Sequence, residues 1–457
     1  MTLTVVDALL VPVADTGPPW LRGWLTVGDD GRITGIGPGT PPVLSGEVLD
    51  AGGAIVAPGF VSAHSHLFTS GFRGIAPDAT LYPWVRAMME VLAHTDAEDV
   101  YWASAHGACD FLPNGVTSAY NFLQSRVVWL FDGVRNVAAA VNPPEYAVRQ
   151  CAAAADAGLR VVNAFRLDDE AQSDDETLGV FAELAAASAD VVPADQHLGV
   201  SVMGAVQWAA SPRTARLEVA AMDAHGVGNQ AHFVETAESV TEQQAKFAWY
   251  RDAGALRPEF VFGHFVHPTD EMVDTAAAAG CGMAWQATSN GRLGSGFADV
   301  VRLRRAGMRV GLGLDDQACT DISDPFANMR TGLYAMRALH HDAAVLRPAD
   351  VLRMHTLGAA EVLGVADRVG SLEVGKHADL LVVDHRDPTT GPVWDVVATY
   401  VLACGLRNLK AVYVGGRPVA REGRCVGPLQ ARADAELHER IPRAAAAAGR
   451  ALPSLVP

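Results

Sequence analysis

The chain has 457 residues, 49% hydrophobic and 19% charged, which is the balance of a well-filled soluble globule and not of a disordered chain. A formal net charge of −17 argues against nucleic acid or an anionic membrane surface as the main partner, because both call for clustered Lys and Arg. The six cysteines, Cys109, Cys151, Cys281, Cys319, Cys404 and Cys425, include no C-x-x-C pair, so neither a disulfide framework nor a Cys-based zinc site is indicated.

The opening "MTLTVVDALLVPVADTG" has no basic leader, and the chain has no run of about 18 apolar residues. No signal peptide or membrane span is expected, and the default location is cytoplasmic. Residues 1–57 read as short strands. "WLTVGDDGRITGIGPG" alternates around an Asp-Asp-Gly turn and predicts a hairpin. From 58 to 365 short apolar runs alternate with Ala-rich helical stretches: "LRVVNAF", "LGVSVM", "GVGNQAHF", "EFVFGHF", "CGMAWQ" and "MRVGLGLD". This alternation predicts parallel β/α units. About eight of them suit an α/β chain with a (β/α)8 TIM-like barrel. Strands return in "GSLEVGKHADLLVVD" (370–384) and "LKAVYVGGRPV" (409–419). Residues 366–430 are therefore expected to pair with 1–57 in a small β-sandwich domain built from both chain ends. Residues 431–457 read as a terminal helix and a loose tail.

Within the barrel region, "APGFVSAHSHLF" (57–68) puts His64 and His66 at the end of an apolar run. Side chains alternate along a strand, so the two face the same way, and in a parallel barrel that end is the active-site mouth. Further on, "NQAHFVET" (229–236) ends a second strand in His232, with Glu235 three residues later. A carboxylate just past a metal ligand can take a proton from bound water and return it to a leaving group; the bland alternative is a helix cap. "VFGHFVHPTDE" (261–271) ends a strand in His264, with His267 in the loop expected either to support the site from behind or to be structural. "VGLGLDDQACTD" (310–321) is a strand whose glycines let a ligand approach closely, followed by Asp315, which can bind metal or deprotonate water. Asp316 beside it is expected to point elsewhere. Any one of these groups has an ordinary packing explanation. Four strand ends delivering H-x-H, H-x-x-E, H and D in order do not.

Together with "DAGGAIVAPGFVSAHSH", "GSLEVGKHADLLVVD" and "VYVGGRPV", this order resembles the amidohydrolase superfamily. The likeness is strongest to the branch holding cytosine, guanine and S-adenosylhomocysteine/methylthioadenosine deaminases and triazine hydrolases. The resemblance implies one divalent metal, Zn2+ first and Fe2+ second, on His64, His66, His232 and Asp315. It implies Glu235 as proton shuttle, and His264 as the group that hydrogen-bonds the attacking water. No lysine lies between His66 and His232, so the carboxylated-lysine bridge of binuclear relatives is closed to this chain. The resemblance also implies a small heterocyclic substrate and a homo-oligomer, a dimer or larger.

The match frays near the substrate. Where relatives have H-N-P-x-S-N, this chain has "WQATSN" (285–290). Trp285 is expected either to stack on a flat ring or to pack the loop, and Gln286 to read the ring's polar edge. The loop "FTSGFRGIAPDATLYPW" adds Phe68, Arg73 and Trp84 as pocket candidates. The function expected is hydrolytic deamination of a purine, pterin, pyrimidine or triazine. The rivals are expulsion of chloride or an alkylamine, opening of a cyclic amide and, from another class, a non-catalytic binding protein.

Overall fold

The computed structural model describes residues 2–132, 136–388, 390–450 and 452–453. The chain opens with β1 (Leu3–Leu10), β2 (Leu21–Val27), β3 (Ile33–Pro38), β4 (Glu47–Asp50) and β5 (Ile55–Pro58). β2 and β3 form the expected hairpin, with Trp24 opposite Gly37 and Thr26 opposite Gly35.

β6 (Phe60–Ser65) and β7 (Val116–Phe122) start the barrel. An antiparallel pair, β8 (Val127–Phe131) and β9 (Asn136–Val141), interrupts it and is not among the expected elements. The barrel is completed by β10 (Arg160–Arg166), β11 (His197–Gly204), β12 (Gly228–Phe233), β13 (Phe260–His264), β14 (Gly282–Trp285) and β15 (Arg309–Leu312). These eight strands pair in parallel in chain order. Most of their residues are buried on both faces, which is why they read as continuous apolar runs. The sheet closes on itself at the mouth, where Ser65 bridges to Asp315 and Asp315 N donates to His64 O at 2.9 Å.

The intervening helices carry their own start signals. Asp96 and Asp99 form a capping box for the Ala97–Phe111 helix, as Ser173 and Glu176 do for Asp174–Val191.

The remaining strands, β16 (Leu380–Val383), β17 (Leu409–Val414), β18 (Arg417–Arg421) and β19 (Arg424–Cys425), return to the N-terminal ones. The two chain ends form one nine-stranded mixed sheet in the order β19-β18-β17-β16-β5-β1-β2-β3, with β4 beside β1. β16 runs antiparallel to β5, Leu381 opposite Ala57 and Val383 opposite Ile55. Neither end could bury its apolar face alone. Leu3, Val5, Leu25 and Val56 from one end share a core with Leu380 and Tyr413 from the other.

The terminal helix, Leu429–Ala447, packs on the Ala97–Phe111 helix. The expected loose tail falls largely on residues 451 and 454–457, outside the described residues. All six cysteines are unpaired, and no described helix is long and apolar enough to cross a membrane.

Candidate metal centre at the barrel mouth

His64 is the penultimate residue of β6 and His66 lies just beyond it; both are buried. The glycines of the late strands serve a purpose other than approach by a ligand. A Cβ on Gly313 would lie 2.7 Å from the Cβ of His64, and one on Gly263 would lie 3.0 Å from its Cε1. What comes close to the backbone here is His64 itself.

The Nε2 atom of His66 stands 3.3 Å from His64 Nε2 and 3.1 Å from His232 Nε2. Asp315 Oδ1 lies 3.4 Å from His64 Nε2 and 3.7 Å from His66 Nε2. Partners outside the set orient it. His64 Nδ1–H donates to Gln230 Oε1 (2.6 Å), while Gln230 Nε2 donates to Ala63 O (3.0 Å). This puts the His64 proton on Nδ1 and leaves the Nε2 lone pair facing the set. Burial, then the neighbouring His64, lowers His66 to about 3 and holds His232 well below its usual range. Neutral ring nitrogens facing one another this closely suit a cation between them. Four N/O donors at bond lengths of about 2.0–2.1 Å around a tetrahedral Zn2+ stand roughly 3.4 Å apart. The residues fit a divalent metal.

Glu235 and His264 complete the mouth. Val234, at φ 47°, turns the chain sharply after β12, and Glu235 follows it, almost fully buried. His264 and Asp315 also take left-handed φ, 65° and 64°. Such strain in three side-chain-bearing residues clusters where geometry serves a site. His264 Nε2 lies 3.5 Å from Glu235 Oε2 and 3.8 Å from Asp315 Oδ2. On its far side Asn290 Nδ2 donates to His264 Nδ1 (2.9 Å), so the ring proton sits on Nε2 and points into the site. A protonated nitrogen is a hydrogen-bond donor and not a ligand, which separates His264 from the other three histidines. Burial lowers His264 to about 3.

The two carboxylates are driven apart. Burial, and then the charges of Asp315 and Asp316, push Glu235 well above the usual range. Burial opposes ionisation of Asp315 too, but His264, His64 and His66 hold it well below that range, and Ser289 Oγ donates to its Oδ2 (2.5 Å).

The pocket candidates fare differently. Phe68 sits edge-on to His66 at 6.0 Å. Arg73 is committed to Asp110 (2.8 Å) and to the carbonyl of Asp321 (2.9 Å). Trp84 is buried, with Nε1 donating to Ala318 O (3.2 Å). Both of these side chains fasten the segment after β6 to the segment after β15, its neighbour in the closed barrel. Of the two alternatives for Trp285, its surroundings match packing rather than stacking. It is fully buried, and a Cβ on Gly332 of the Pro325–His340 helix would lie 2.6 Å from its indole. At the end of β14 its side chain points outward to the helix layer, so it packs and does not stack on a ring. Gln286 braces His264, its Oε1 accepting from the His264 backbone N (2.8 Å). Asp316 accepts from the N–H groups of Ala318 (2.7 Å) and Cys319 (2.8 Å), and His267 Nε2 donates to Ser295 O (2.8 Å).

Two orienting residues escaped the sequence reading of roles. Gln230 carries a usable signal, because it stands two residues before His232 on the same face of β12. Asn290 was visible only as a residue shared with relatives; nothing local ties it to His264.

Barrel, mouth and donor set define a metal-dependent hydrolase. The chain belongs to the amidohydrolase family, whose model matches residues 55–419. It is similar to the 5-methylthioadenosine/S-adenosylhomocysteine deaminase of Desulforudis audaxviator, 29% identical over 438 residues that cover 92% of this chain and 94% of that one. Among solved structures it resembles a zinc-bound adenosine deaminase from Xanthomonas campestris, with TM-score 0.83 and 23% identity over 97% of this chain and 98% of that one. The zinc complex of atrazine chlorohydrolase from Arthrobacter aurescens TC1 gives TM-score 0.83 and 20% identity, covering 96% and 100%.

Proposed function

We propose that this chain is an aminohydrolase that releases ammonia from an amino-substituted N-heterocycle of purine, pterin, pyrimidine or triazine type. One observation carries the reading: the donor set of His64, His66, His232 and Asp315 shares a mouth with a separate buried acid, Glu235, 3.5 Å from His264 Nε2. The relatives named as methylthioadenosine/S-adenosylhomocysteine deaminases support it.

In this reading His64, His66, His232 and Asp315 hold one divalent ion. Zinc is preferred, on the strength of the zinc-bound neighbours, with Fe2+ second. Bound there, the ion supplies Lewis acidity and lowers the pKa of a water toward neutrality. Asp315, whose carboxyl is held well below the usual range, accepts a proton from the attacking water at Oδ2. His264 Nε2–H donates to the oxygen on which charge develops. Glu235, favoured in its protonated form by burial, gives its proton to the ring nitrogen. The amine then leaves as ammonia with the proton Asp315 took from the water, and Glu235 regains a proton from the added hydroxyl as the carbonyl forms. An amine needs that proton to leave and chloride does not, so proton transfer through Glu235 and Asp315 favours deamination over dechlorination. The reading also places the enzyme in the cytoplasm as a homodimer or larger assembly.

The test is to quantify metal by plasma emission and to screen adenosine, guanine, cytosine and melamine for ammonia release. Expected are about one metal per chain and ammonia from one ring class. Glu235→Gln should keep its metal and lose about 10²–10⁴-fold in kcat. Metal without ammonia would move the assignment to dechlorination or ring opening. A chain that takes up neither zinc nor iron would be a non-catalytic binding protein.

A further inference from the structure

One aromatic ring at the mouth is unused by the site described so far. After Gly204 ends β11, residues 205–209 form a tight turn in which Trp208 N donates to Ala205 O (3.0 Å) and Ala209 N to Val206 O (3.1 Å). Ala205, Val206, Gln207 and Ala209 are buried, but Trp208 is 42% exposed. Its ring centroid lies 5.4 Å from that of His232, with the two planes at 50°.

The turn is held from both sides by buried ionisable side chains. Glu218 Oε1 accepts from Ala205 N (2.7 Å), and its Oε2 accepts from Asn229 Nδ2 on β12 (2.8 Å). Lys246 Nζ donates to Gln207 O (3.0 Å) and pairs with Glu242 (2.9 Å). Burying two ionisable groups is costly even when they are hydrogen-bonded, and here both are committed to fixing one turn. What the turn presents is an indole. Beside it the Gln207 amide is buried with neither its oxygen nor its nitrogen partnered among the described residues, so it has both an acceptor and a donor to offer.

Two other rings near the donor set are spent. Phe122 lies flat on His66 at 4.8 Å and is fully buried, and Phe68 is 5% exposed. Of these three rings Trp208 alone offers a free face, and it does so beside His232, which retains 7% exposure.

We propose that Trp208 is the platform on which the flat heteroaromatic ring of the substrate stacks, and that it sets the preference of the site for planar rings. The substrate class rests on the deaminase reading above; the stacking itself does not require turnover. An indole face offset-stacked on an electron-poor heterocycle is favourable, and base–aromatic contacts of this kind tolerate many ring types. One platform could thus serve purines and triazines alike.

The test is calorimetric titration of metal-loaded protein in the Glu235→Gln background, where turnover does not obscure binding. Adenine, adenosine, cytosine and melamine are the probes. Trp208→Ala is expected to weaken the best-bound ring about 10-fold or more, and Trp208→Phe to stay within about 3-fold of the parent. Metal content and the thermal midpoint should be unchanged in both. Binding within about 2-fold in Trp208→Ala, or no ring bound by the parent, overturns the proposal. Loss of metal or of thermal stability in Trp208→Ala without recovery in Trp208→Phe does so too, by making the residue structural. Trp208-dependent ring binding with no ammonia from the wild type leaves the platform standing and removes the deaminase reading instead.

Discussion

At the foot of the barrel, Arg160 at the start of β10 meets Asp379 from the end-built sheet through two hydrogen bonds, 2.9 and 3.0 Å. Asp379 also accepts from Gly415 N (2.9 Å), so the buried charge there is paired and hydrogen-bonded. At the mouth, Glu235 and Asp315 are buried among four imidazoles, His264 Nε2 and His232 Nδ1 have no hydrogen-bond partner among the described residues, and Val234, His264 and Asp315 sit in left-handed backbone. The same chain satisfies its charges at one end and leaves them poised at the other. Satisfied networks rigidify a fold, whereas unsatisfied ones persist where a ligand or reaction uses them. In a parallel barrel these two ends are the stable face and the chemical face.

That contrast breaks most visibly at Arg160. Arg160→Met leaves the Asp379 carboxylate buried without a counter-charge and is expected to cost about 3–5 kcal/mol. Urea denaturation measures the loss, and activity per folded molecule should stay near wild type. A large loss of activity in protein that remains folded would mean that foot and mouth are coupled.

His355 sharpens the stability side. It is fully buried, its Nδ1–H donates to Val61 O (3.1 Å) at the start of β6, and burial lowers it from 6.5 to about 4. Between those values the unfolded chain takes up a proton that the folded chain refuses. The contribution of His355 is therefore complete above pH 6.5 and is lost as pH falls toward 4, by about 3 kcal/mol. His355→Gln lacks this term, so wild type should lose that much more stability than the variant between pH 7 and pH 4. Identical pH dependence in the two proteins would contradict a neutral buried His355.

Asn290 sharpens the chemical side, with the smallest expected effect. Asn290→Asp replaces a donor to His264 Nδ1 by an acceptor, which moves the ring proton to Nδ1 and turns a lone pair into the site. The expected result is a fall in kcat of about 10²-fold with stability and metal content held. An unchanged kcat would mean that His264 does not act through Nε2–H.

Several features of this molecule follow from local sequence. Alternation along a strand puts His64 and His66 on one face, and the succession of apolar runs and Ala-rich stretches sets eight β/α units in order. The end of each relevant strand names the group it delivers, so the structure brings together the six side chains that the strand ends supply. Other features take their role from partners that are distant in the chain or from the layer around the strand. Trp285 faces the helix layer because β14 ends with that parity. Gln230 reaches His64 across 166 residues of chain, and Asn290 reaches His264 across 26. β5 finds β16 only because each end of the chain needs the other to cover its apolar face. Trp208 is an ordinary loop tryptophan in sequence. It acquires a position only when Glu218 and Lys246, from helices on either side, hold its turn beside His232. Periodicity is a property of neighbouring residues and can be read from them. Which partner orients a ring, and which side chain keeps a free face at the mouth, depends on contacts between distant segments, and those exist only once the barrel has closed.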